Sequence, residues 1–176
     1  MRQKFIEILG KNRVLFDEPM SQHTTFRIGG PADVFAMPEN YEQIREVLRL
    51  CKEEKLPFFV LGNGSNLLVS DSGYRGVIIQ MDRNMEEIRL DGEEIHACAG
   101  ALLSSVAVAA RNASLTGFEF AGGIPGTIGG AAVMNAGAYG GELKDVLKEV
   151  TVMTREGEIL TIPADKLEMG DRKSTR

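Results

Sequence analysis

The sequence predicts an α+β fold built as two consecutive units. Three observations point there. Strand-like and helix-like segments alternate without the regular spacing of a βαβ series. Two hairpin signals, Asp91-Gly92 and Glu156-Gly157, each sit between apolar runs. Two glycine-bearing loops, LGNGSNLLV at 61–69 and GGIPGTIGGAAVMNAGAYGG at 122–141, each follow an apolar segment.

The elements follow in order. Phe5, Ile6 and Leu9 share a face and predict a short amphipathic helix. In HTTFRIGGPADVFAMPEN (23–40), the apolar and β-branched runs predict strands over 24–28 and 33–37, joined by a Gly-Gly-Pro turn. A helix over 40–56 is predicted from Asn40 as its cap and from Ile44, Val47, Leu48 and Cys51 on one face. Pro57 ends it, and PFFVLG begins a buried strand; a strand over 77–81 closes the first unit. In the second unit, IRLDGEEIHACAG reads as a hairpin, and 101–117 reads as a helix with Leu102, Val106 and Ala109 on one side. VTVMTREGEILTI reads as a further hairpin after the glycine-rich stretch. The predicted division is 1–82 and 83–176.

Composition narrows the function. The chain has 176 residues, a net charge of −5 and 20 glycines. Glycine exceeds its usual share of about 7%, so it needs a local explanation. The acidic balance gives no electrostatic case for nucleic acid. Cys51 and Cys98 are far apart, no CxxC occurs and His23 and His96 are isolated, which argues against a zinc site and for two reduced thiols. No run approaches the ~18 apolar residues of a membrane span, and charges interrupt the apolar residues of MRQKFIEILGK, unlike a signal peptide. A cytoplasmic protein is expected.

The two loops carry the chemistry. Gly62 and Gly64 permit backbone angles that leave successive amides free to converge on one anion, and Ser65 and Asn66 add side-chain donors. In the second loop, Gly126 to Gly130 precede AAVMNA; if a helix starts there, its amides and dipole favour a phosphate. A structural turn is the other reading of either loop taken alone. GxGxxG fails at Leu67 and no GxxxxGK[ST] occurs, which excludes the usual dinucleotide fingerprint and the P-loop.

Three segments in this order, HTTFRIGGPADVFAMP, FFVLGNGSNLLVSD and EFAGGIPGTIGGAAVMNAGAYGGE, closely resemble the UDP-N-acetylenolpyruvoylglucosamine reductase family. The resemblance covers essentially the whole chain and implies the FAD-binding fold of the vanillyl-alcohol oxidase type, with two α+β subdomains. It also implies FAD contacts at Gly62, Asn63, Gly64, Ser65, Asn66, Ile124, Pro125, Thr127, Gly129 and Gly130, with Gly137 and Tyr139 beside them. The implied reaction uses NADPH and FAD to reduce a UDP-sugar enolpyruvate to UDP-N-acetylmuramate for peptidoglycan synthesis.

The resemblance also implies what is missing. The family's substrate-binding third domain, with its proton-donating serine, is expected to be absent. GDRKS (170–174) matches the family's Gly-Tyr-Arg-x-Ser except at Asp171, so Arg172 is the candidate catalytic arginine and otherwise a solvated terminal charge. A carboxylate at Asp171 competes with substrate for that guanidinium. The chain is therefore expected to be inactive alone, as a flavin- or nucleotide-binding fragment, and to self-associate through uncovered apolar surface.

Overall fold

The computed structural model describes residues 1–81 and 85–170. The chain divides into two compact units, Met1–Asn84 with Arg155–Gly157, and Met85–Thr154 with Glu158–Arg176.

The first unit is a mixed four-stranded sheet with two helices. Helix α1 (Arg2–Leu9) buries Phe5 and Leu9, the face its spacing predicts. Strands β1 (Val14–Pro19), β2 (Pro31–Ala36), β3 (Phe58–Leu61) and β4 (Tyr74–Gln80) lie in the order β1-β2-β4-β3. β1 and β2 are antiparallel, while β4 runs parallel to both β2 and β3. Val34, Phe35 and Ala36 of β2 and Val77, Ile78 and Ile79 of β4 are all buried, as expected for central strands covered on both faces. Helix α2 (Tyr41–Glu53) starts where Asn40 accepts a hydrogen bond from the Gln43 amide at 2.9 Å, a cap worth about 1 kcal/mol. Its buried face is Ile44, Val47, Leu48, Leu50 and Cys51.

Two strand expectations fail. Residues 24–28 form a turn: Arg27 has φ 54°, and Phe26 and Ile28 are exposed. A β-rich composition there outweighed, in the sequence, the tight geometry that Gly29 imposes at φ 137°. The partner of β2 is instead β1, where Asp17 at φ 55° interrupts the alternation and Pro19 ends an edge strand. β3 is also an edge strand, and its Phe59 and Val60 are exposed rather than buried.

The second unit is made of local pairings. The hairpin β5 (Ile88–Asp91) and β6 (Glu94–Ala97) turns at Gly92, φ 62°. Helix α3 (Leu103–Asn112) is shorter than predicted, because Leu102 is its exposed N-cap and the chain leaves the helix at Ala113. Its buried face is therefore Leu103, Val106 and Ala110. A 3-10 turn (Glu119–Gly123) leads to helix α4 (Ile128–Met134) and a two-residue-strand hairpin, β7 (Gly137–Ala138) and β8 (Gly141–Glu142). β9 (Glu149–Met153) and β10 (Ile159–Pro163) pair as predicted. Leu103, Phe120, Ala121, Ala131 and Leu143 form the core under the glycine-rich stretch.

Candidate cofactor site

The first glycine loop, 62–66, leaves the end of β3 between two apolar anchors. Leu61 is in the core with Met20, Ala32, Phe35 and Ile78, and Leu67 packs against the same cluster. Between them Gly64 takes φ 63°, and a Cβ there would lie 1.9 Å from the His23 carbonyl oxygen. The Gly64 carbonyl accepts a hydrogen bond from the Thr25 amide at 3.1 Å. The glycine is thus demanded by contact with the 23–25 backbone. That backbone is itself fixed: the His23 ring stacks on Phe35 at 4.0 Å, and its Nε2 lies 2.9 Å from Glu18 Oε1. His23 is a bracing residue. Among the described residues, the amides of Gly64, Ser65 and Asn66 donate no hydrogen bond. Gly62 and Ser65 are half-buried, and Asn63 and Asn66 are exposed. Three successive unspent amides on a braced loop are donors of the kind that a phosphate oxygen accepts from.

The second loop differs. Its Thr127 is buried and caps α4, its hydroxyl oxygen accepting from the Gly130 amide at 3.3 Å. The Ile128 amide donates to Ala101 O at 2.8 Å, the Gly129 amide to Ala99 O at 2.9 Å, and the Ala131 amide to Thr127 O at 2.8 Å. The expectation that these first-turn amides offer a phosphate site is therefore corrected: they are spent on the 99–101 segment and the cap. A Cβ at Gly129 would lie 2.9 Å from that of Ala99, so this glycine serves the docking of α4. At Gly123 a Cβ would meet nothing within 4 Å, and φ lies outside the left-handed region. The fold does not require that glycine. The bare backbone at 122–126, with half-buried Ile124 and exposed Pro125 beside it, leaves room for a ligand to lie close.

Beyond α4 the chain turns through Asn135, buried, in the left-handed region at φ 43°. Gly137 faces the β8 backbone, where a Cβ would lie 2.7 Å from Gly141 O. Tyr139 and Gly140 make the hairpin tip at φ 53° and 86°, and the Tyr139 side chain is fully exposed. Glu142 is held below the usual carboxylate range by hydrogen bonds first from Lys144 and then from Asn135. Arg172 lies outside the described residues. Among the described residues, no group of three or more His, Cys, Asp or Glu side chains is placed to hold a metal, and no helix is long and apolar enough to cross a membrane.

Sequence reading located both loops but missed the 23–25 brace and the carbonyls of Ala99 and Ala101, which are contacts between residues distant in sequence. The left-handed C-cap at Asn135 had a signal, since Asn after an apolar helical run is common there.

The chain is 49% identical over 172 residues to the UDP-N-acetylenolpyruvoylglucosamine reductase of Alkaliphilus metalliredigens, covering 98% of this chain and 57% of that protein. It is 55% identical over 155 residues to the enzyme of the same name from Clostridium botulinum, covering 88% and 51%. The chain thus spans about half the length of the curated relatives it matches. The crystal structure of UDP-N-acetylenolpyruvylglucosamine reductase from Thermus caldophilus superposes with a TM-score of 0.76 at 34% identity, over 92% of this chain and 55% of that one. p-Cresol methylhydroxylase shares the fold at a TM-score of 0.69 and 19% identity, over 90% of this chain and 34% of its own. The fold is thus the α+β FAD-binding fold of the vanillyl-alcohol oxidase type. The family described as FAD binding domain matches residues 32–163, and the chain belongs to it.

Proposed function

We propose that this chain holds FAD for a reductase that uses NADPH to convert UDP-N-acetylglucosamine enolpyruvate into UDP-N-acetylmuramate, a step of peptidoglycan synthesis in the cytoplasm. The observation that carries the flavin reading is the run of unspent amides at Gly64, Ser65 and Asn66 on a loop braced from behind. Backbone amides bind phosphate without a cation, so the net charge of −5 is no obstacle. The names of the relatives supply the substrate class.

In this reading, the amides of 64–66 hold the cofactor's pyrophosphate, with Gly62 and Asn63 completing the loop. The bare backbone beside Ile124 and Pro125 lies against the cofactor, while Thr127, Gly129 and Gly130 keep α4 docked behind it. Gly137 and Tyr139 present the hairpin tip to it. The bound flavin supplies hydride transfer; the protein supplies position and electrostatics. Arg172 acts in the complete enzyme by pairing with the substrate carboxylate.

A second reading is a flavin- or nucleotide-binding module without turnover of its own; the family model that matches, over residues 32–163, is one of FAD binding. Titrating the purified chain with FAD, followed by visible absorbance, tests both. Saturable binding with a perturbed flavin spectrum is expected, and a chain that never takes up flavin overturns the proposal. NADPH oxidation coupled to enolpyruvate reduction by this chain alone would discard the second reading.

A further inference from the structure

The hairpin 137–142 carries Tyr139 at its tip, and that placement is unusual. A non-glycine aromatic residue at φ 53° is strained, and its ring is 99% exposed. The two short strands pair only through Gly137–Glu142 and Ala138–Gly141, and an isolated hairpin of this length is not stable in water. Something outside the ladder must hold it.

That support converges on one side chain. Asn135 is 4% exposed and ends α4 in the left-handed conformation. Its Nδ2 donates to Glu142 Oε2 at 2.7 Å, at the base of β8. Its Oδ1 accepts from the Lys144 amide at 3.0 Å, just beyond β8. The Leu143 amide donates to Ala136 O at 3.0 Å alongside. Glu142 is fixed in turn, by Lys144 Nζ at 2.7 Å and by its own amide donating to Asp145 Oδ2 at 2.9 Å. One buried amide therefore ties the helix end, from which β7 continues, to the β8 side of the hairpin base. On the far side, Gly141 approaches the Phe120 ring so closely that a Cβ would lie 2.9 Å from it. Tyr139 so held forms one wall of an open cleft of about 400 Å³, with Gly117, Glu119 and Phe120.

We propose that Asn135 is a positioning residue for the cofactor, acting through the Glu142–Lys144 clamp to fix the Tyr139 hairpin against the flavin. This rests on the flavin reading given above. The left-handed backbone alone does not do it, because Asn135→Gly would keep that conformation yet leave the Lys144 amide unpartnered and Glu142 held by Lys144 Nζ alone.

The sequence contains no tryptophan, so Tyr139→Trp introduces a single indole at the tip. In that background, the anisotropy of the indole reports hairpin order without any cofactor, and FAD titration reports binding. Asn135→Gly should lower the anisotropy and weaken FAD binding about tenfold, the effect of losing roughly one buried hydrogen-bond pair. Asn135→Asp should do the same, because it sets a carboxylate against Glu142. Asn135→Asp with Glu142→Gln exchanges donor and acceptor and should restore both readouts, which a merely structural loss would not do. Circular dichroism melts identify any variant that fails to fold, and the exchange pair then carries the test. Unchanged anisotropy and affinity in Asn135→Gly, or no rescue by the exchange, overturns the proposal. An unsubstituted chain that binds no FAD, while anisotropy still falls in the Asn135→Gly variant, overturns the flavin reading and leaves the clamp standing.

Discussion

The two glycine loops look alike as sequence and differ as physics. In 62–66 the glycine is imposed by the backbone behind it, at Gly64 against His23 O, and the amides in front stay unspent. In 122–130 the amides of Ile128, Gly129 and Gly130 are consumed within the fold, and the glycine with open space beside it is Gly123. Glycine density therefore marks both a loop that keeps its amides and a loop that spends them. The distinguishing quantity is where each N–H goes.

Substitutions can break or sharpen this contrast. The largest effect is expected at Gly64→Val, where a left-handed φ and a Cβ 1.9 Å from His23 O act together. About 3 kcal/mol or more should be lost in urea unfolding; a loss below about 1 kcal/mol would mean that the 23–25 brace yields. Gly129→Val should cost less, about 1–3 kcal/mol, as overpacking against Ala99 without backbone strain. Equal losses at the two positions would dissolve the comparison. Gly123→Ala should leave stability within about 0.5 kcal/mol while weakening FAD binding severalfold, since its Cβ meets no protein atom. Affinity equal to that of the unmodified chain would show that no ligand lies there. Because Gly64 and Gly129 are needed by the fold, Gly123→Ala is the cleaner probe of cofactor approach.

The smallest effect concerns Cys51, whose thiol is pushed up to about 11 by burial. It should resist alkylation at pH 8 in the folded chain, with the partly exposed Cys98 labelled first. The folded value lies above the ordinary thiol value of 9.0, so this contribution to stability is intact below about pH 9 and is lost as pH rises towards 11. Equal labelling of both thiols, followed by mass spectrometry, would contradict the buried face of α2.

Much of the fold was legible in local pattern. The α2 cap at Asn40, the turn at Gly92 and the β9–β10 hairpin each depend on residues a few positions apart, and each appears as read. The failures depend on distance. β1 contains Asp17 and Pro19 and becomes a strand because β2 is there to pair with it, whereas TTFRI has strand composition and no free partner. The glycine loops were visible as loops. Which amides they retain depends on Ala99, Ala101 and Thr25, and no local motif announces those partners.

The order of strands also separates the two units in time. Among the described residues of the second unit, every strand pair is a hairpin between sequence neighbours, and such pairs close in about 1–10 μs. In the first unit β4 must insert between β2 and β3, so the whole stretch from 37 to 73 has to be threaded before the central ladder exists. Loop-closure entropy is met before those contacts form, which slows folding. On a ribosome the first unit emerges earlier but is the slower to close, and until it does, the Phe58–Leu61 edge lacks its one neighbour. The loop that follows that edge, 62–66, is thus among the last parts of the molecule to be made.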